Sequence, residues 1–96
     1  MQNFRDLIVW KKAHQNALLI YDSTKIFPKE EQYGITSQIR RAAVSIPTNI
    51  AEGSGKFTSK DFANYLQTSL GSAHEVNIFL CFHLNLTISV KLNITK

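Results

Sequence analysis

The chain has a single cysteine, Cys81, in 96 residues. No internal disulfide can form, and nothing points to an oxidising compartment. Charge is missing from one long stretch, since Val76 to Val90 holds no Asp, Glu, Lys or Arg. That run is shorter than the roughly 20 residues a membrane helix needs, and Asn77, His83, Asn85, Thr87 and Ser89 interrupt it, which argues against a transmembrane segment. The N-terminus lacks an apolar h-region because Arg5, Asp6, Lys11 and Lys12 stand too close together, so no signal peptide is expected. The chain is therefore expected in the cytoplasm, with Asn85-Leu86-Thr87 and Asn93-Ile94-Thr95 as chance matches to a glycosylation pattern.

Groups suited to catalysis or metal binding are few. His14, His74, His83 and Cys81 are the only imidazole or soft ligands; on a helix Cys81 and His83, two apart, point to different sides, and adjacent His74 and Glu75 do the same. No nucleophile elbow, zincin helix or paired-carboxylate spacing occurs. Gly53-Ser54-Gly55-Lys56 looks at first like a phosphate loop, but Ile50 stands where the first Walker glycine belongs, and the loop follows a helix instead of a strand. It reads as a helix terminator and a flexible turn, whose N–H groups, with Lys56, remain able to touch a backbone phosphate. No enzymatic activity, metal or cofactor is expected.

What the chain does have is helical periodicity. Ile35, Ile39, Ala42, Ala43, Ile46 and Ile50 form one apolar stripe at the 3.6-residue period, in a helix expected from Ile35 to Glu52. The stripe runs straight through Pro47, which supplies no N–H to the Ala43 carbonyl and costs about 3 kcal/mol in an isolated helix interior. Packing on the stripe has to offset that. Gly53 sits where a left-handed C′ residue belongs. A first helix is expected from Phe4 to Ile26, with Leu7, Trp10, His14, Ala17, Tyr21 and Thr24 on its stripe and Val9, Ala13 and Ile20 widening it. Phe27-Pro28 stops it, since the residue before proline is pushed out of the α region. A third helix opens at Thr58, with Asp61 three residues on completing a capping-box pattern, and carries Phe62, Leu66, Ser69, Ala73, Val76 and Leu80.

The proline-bearing, alanine-rich helix with Arg40-Arg41 and Gly53, together with Leu7-Ile8-Val9-Trp10-Lys11-Lys12-Ala13-His14, Phe27-Pro28-Lys29-Glu30-Glu31 and Tyr33-Gly34, closely resembles one family. These are the four-helix-bundle proteins encoded within intervening sequences of bacterial 23S ribosomal RNA genes, and the resemblance covers roughly residues 4 to 76. It implies an all-α, up-down-up-down bundle, a homo-oligomeric ring that is usually a pentamer, a nucleic-acid role and no known catalysis. Past His83 the pattern changes: Ile88, Val90, Leu92 and Ile94 alternate with Ser89, Lys91 and Asn93 in a strand-like period of two. Residues 84–96 therefore read as an irregular, family-divergent tail of a single-domain bundle, with the fourth helix truncated or missing. Phe62, Leu66, Val76, Phe79, Leu80 and Phe82 are then expected on an uncovered apolar patch.

The formal net charge of +4 favours anionic partners, RNA or DNA among them. The basic residues are unevenly spread: Arg5, Lys11, Lys12, Lys25, Lys29, Arg40, Arg41, Lys56 and Lys60 precede residue 61, and none falls between 61 and 90. Lys11 and Lys12 with Lys56 and Lys60 form a candidate stripe that reads backbone charge instead of sequence. Arg40 lies beside the core stripe and is a candidate for a subunit or intrabundle ion pair. Arg41 lies on the polar face with Glu52, open either to phosphate or to pairing with Glu52 of a neighbouring subunit. A protein–protein interaction module with no nucleic-acid role is the competing reading. Pro47→Ala should leave the bundle folded but straighten its helix and disturb what the bend aligns across subunits; sedimentation of the variant checks this, and unchanged oligomer mass would make the bend incidental.

Overall fold

The computed structural model describes the backbone of residues 3–95 and the side chains of residues 3–83. Among the described residues the chain is all-helical, with three α-helices and no strand: α1 (Ile8–Ser23), α2 (Ile35–Ser54) and α3 (Ser59–Thr95). α2 packs against both α1 and α3. The molecule is a rod of 59 × 21 × 21 Å, and α3 alone accounts for about 55 Å of its length at 1.5 Å per residue.

The first helix is shorter than its periodicity predicts, and local hydrogen bonds explain both ends. The Asn3 side chain accepts from the Arg5 N–H at 3.1 Å and caps a separate 3₁₀ turn, Phe4–Asp6, after which Leu7 is extended. At the other end the Thr24 hydroxyl bonds back to the Ile20 and Tyr21 carbonyls, and the chain tightens into a second 3₁₀ turn, Thr24–Ile26. Phe27, ahead of Pro28, is extended as its position requires. The third helix begins as expected, with the Asp61 N–H donating to Thr58 Oγ1 at 3.1 Å.

α2 runs unbroken through Pro47, which is buried. Three successive carbonyls around the proline each accept a side-chain hydrogen bond. Thr48 Oγ1 donates to the Val44 carbonyl at 2.8 Å, Asn49 Nδ2 to the Ser45 carbonyl at 2.8 Å, and Ser69 Oγ, from α3, to the Ile46 carbonyl at 2.9 Å. Ser45 Oγ lies 2.7 Å from Ser72 Oγ and takes a second bond from Asn49 Nδ2. The α2–α3 seam is thus a narrow polar contact between small residues. One buried hydroxyl, Thr36 Oγ1, has no partner among the described residues.

Gly53 corrects the sequence reading. It lies within α2, no glycine in the structure has positive φ, and its missing side chain serves packing instead of a left-handed cap. A Cβ at this position would stand 2.6 Å from Tyr65 Cβ and 2.9 Å from Phe62 Cδ1. The C-terminal segment is a second correction: the backbone of residues 84–95 continues α3 as helix, where an irregular tail is expected from the pattern. An isolated strand has no neighbour to take its N–H groups, whereas a helix satisfies them within the segment. A period of two also repeats every four residues, and four is a helical spacing.

The core is thin. Ala17, Ala42, Ala43 and Val76 form its cluster with Ile20 and Ile46 against it, and among the described residues Ile39 is the one large side chain with no exposure. Val76 therefore belongs to the core and not to the uncovered patch; Phe62 and Phe79 are half-buried, while Leu66, Leu80 and Phe82 are exposed. The chain exposes 7066 Å², whereas a folded monomer of its 10.9 kDa is expected to expose about 5,600 Å², an excess of roughly 1,500 Å².

Two glycine substitutions separate packing from helix propensity. Gly53→Ala should destabilise the fold by about 1–3 kcal/mol through overpacking against Tyr65 and Phe62, although alanine is the better helix former. Gly71→Ala, on α3 with nothing within 4 Å of the added carbon, should stabilise by about 0.5–1 kcal/mol. Urea midpoints of opposite sign for the two variants are the expected result.

Candidate nucleic-acid interface

The Arg40 side chain joins α2 to the end of α1. Its Nε donates to Thr24 Oγ1 at 2.8 Å and its Nη2 to the Tyr21 carbonyl at 3.2 Å, with the guanidinium 5.0 Å over the Tyr21 ring. The last carbonyls of a helix have no intrahelical donor and carry the negative end of its dipole, so a guanidinium there satisfies an acceptor and complements the charge. Within the chain Arg40 is therefore a cap donated by a neighbouring helix. The expected intrabundle ion pair does not form: the one ion pair among the described residues is Asp22–Lys25, at 3.4 Å on the surface.

Between α1 and α2 lies an open groove of 740 Å³. Phe4, Trp10, His14, Leu18 and Tyr21 supply one wall; Val44, Pro47, Thr48 and Ala51 supply the other, with Glu52 and Lys56 also lining the groove. Phe4 meets Trp10 edge-on at 5.0 Å, and the His14 ring stacks on Trp10 at 4.8 Å with 11° between the planes. Sequence reasoning placed Trp10, His14 and Tyr21 on the apolar stripe of the first helix but did not see that α2 leaves them partly uncovered. The available signal was aromatic rings at helical spacing beside lysines. A smaller groove, of 490 Å³, is lined by Tyr21, Gln32, Tyr33, Ser37, Arg40, Arg41 and Val44.

Lys11, Lys12, Arg41, Lys56 and Lys60 are all exposed. Lys56 lines the aromatic groove with Glu52, its Nζ 5.2 Å from the centre of the Tyr65 ring. Lys60 follows at the start of α3, and Lys11 and Lys12 lie on α1 next in sequence to Trp10. Arg41 is separate from these, in the smaller groove beside Arg40. Among the described residues no cluster of His, Cys, Asp and Glu could hold a metal ion, and no helix is long and apolar enough to cross a membrane.

The Arg40 cap makes a direct prediction. Arg40→Ala should lower stability by about 1–3 kcal/mol, the range for hydrogen bonds to a charged group. Arg40→Lys should recover only part of it, because an ammonium cannot span the hydroxyl and the carbonyl as the guanidinium fork does. Urea unfolding of both variants measures the difference.

No curated protein matches the chain. Residues 5–95 match the family described as 23S rRNA-intervening sequence protein, and the match continues through the segment 84–95 that the sequence pattern set apart. The proline-bearing α2, the helix start at Thr58 and the length of the match agree, and the chain belongs to the 23S rRNA-intervening sequence protein family.

Proposed function

We propose that this protein is a non-enzymatic, homo-oligomeric helical bundle of the cytoplasm that binds RNA or DNA through lysine and arginine contacts to phosphates. The observation that carries the reading is the charge distribution. Lys11, Lys12, Arg41, Lys56 and Lys60 are exposed, and among the described residues none of them forms an ion pair. Free cations without a carboxylate partner are the groups that release counterions when they meet a phosphate backbone. The family's tie to 23S rRNA supports the same reading.

The exposed apolar side chains support association of several copies. In this reading the chain contributes three helices, and neighbouring copies cover the exposed Leu66, Leu80 and Phe82. Arg40 is occupied within its own chain, which leaves Arg41 as the arginine open to phosphate. The exposed Leu70 and Ile78 favour a second reading, a module that recruits another protein and uses its charge only for solubility.

A gel shift with ribosomal RNA fragments across a salt series tests both. Affinity should fall steeply with salt, and Lys11→Ala with Lys12→Ala should weaken binding evenly across sequences while flattening the logarithmic salt slope by about two units. Binding that ignores salt, or none at low salt, would support the protein-partner module.

A further inference from the structure

The groove between α1 and α2 has a chemistry of its own within the nucleic-acid reading, on which this inference rests. We infer that it takes an unstacked nucleobase of a single strand. One wall is lined with rings: Phe4, from the 3₁₀ turn before α1, meets Trp10 in a T-shaped contact, and His14 stacks on Trp10. Pro47 and Ala51 face it from α2 as small apolar surfaces. A slot of 740 Å³ lies within the roughly 300–1,000 Å³ common for small-ligand sites, and flat rings along one wall suit a planar heterocycle. Base–aromatic stacking of this kind tolerates any sequence, because every base has a π-face.

The polar groups in the groove decide between a base and a purely apolar occupant. An apolar helix from another protein would strip water from the Glu52 carboxylate and the Lys56 ammonium without giving either a partner. A nucleotide uses both: the carboxylate accepts from an exocyclic amine of the base, and the ammonium meets the phosphate. Lys56 is held near the groove by its contact with the Tyr65 ring. A base stacked and paired in a duplex cannot enter the slot, so the groove selects single strands, whereas the surface lysines do not.

Trp10 is the only tryptophan of the chain, so its emission reports occupancy of the groove directly. The full chain is titrated at low salt with an oligoadenylate RNA of about ten nucleotides and with an RNA duplex of the same length, each followed by fluorescence and by filter retention. The single strand should quench Trp10 and bind at least ~10-fold more tightly than the duplex. His14→Ala, at an exposed position, should weaken single-strand binding about 5- to 100-fold, as loss of a base–aromatic stack does, with duplex affinity unchanged. Retention of the single strand without quenching, or equal affinity for the two forms, would overturn the inference and leave the phosphate reading standing. Emission that changes with protein concentration in the absence of RNA would assign the groove to a second copy and also overturn it. No retention of either form would remove the inference together with the reading beneath it.

Discussion

A helix whose apolar stripe passes through a proline cannot close its own hydrogen-bond ladder, and the rest of this structure is arranged around that fact. Pro47 leaves the Ala43 carbonyl without its usual donor and loosens the turn beside it. The next three carbonyls take side-chain donors, one of them Ser69 from α3. A serine hydroxyl reaches a carbonyl of another helix only if the two backbones run close together. Small residues along the seam, Ser45 against Ser72 and Gly53 against Tyr65, permit that approach. The position of α3 is thus fixed by hydrogen bonds to α2, Ser69 to the Ile46 carbonyl and Ser72 to Ser45, as well as by burial of apolar surface.

Close approach limits what the core can hold. Alanine lets helices come together but removes little apolar area from water, while the larger side chains that would stabilise more strongly remain outside. Ile8, Leu19 and Ile78 are all well exposed, and among the large side chains of the described residues only Ile39 is sealed completely. The fold trades breadth of core for tight contact between backbones. The exposed outer faces are the surface on which the proposed association rests.

Much of this was legible from the residues. The stripe from Ile35 to Ile50, the tolerance of Pro47, the stop at Phe27-Pro28 and the cap at Thr58 are local signals with local causes, and each appears in the structure. Gly53 was misread because a glycine that ends a helix and a glycine that admits a neighbouring tyrosine look the same in one dimension; only the position of Tyr65 separates them. Arg40 lies beside the core as its position on the helix indicates, but its acceptors within the chain include a main-chain carbonyl at a helix end that no side-chain pattern marks. The alternation from Ile88 to Ile94 looked like a strand because the rule for strands weighs periodicity without asking what the strand would pair with. The aromatic groove was hidden for a related reason: a stripe gives the residues that face another helix, but not how much of each the other helix covers.

The Arg40 contact also sets the axial alignment of α1 and α2. Two helices that meet through small side chains, such as Ala17 in the cluster with Ala42 and Ala43, present nearly smooth surfaces, and sliding one along the other by a turn of about 5.4 Å would exchange one set of methyl contacts for a similar set. The guanidinium does not allow that exchange, because its two acceptors, Thr24 Oγ1 and the Tyr21 carbonyl, occur together only where α1 ends. A single side chain therefore fixes the register of a seam that alanines alone would leave free to slip.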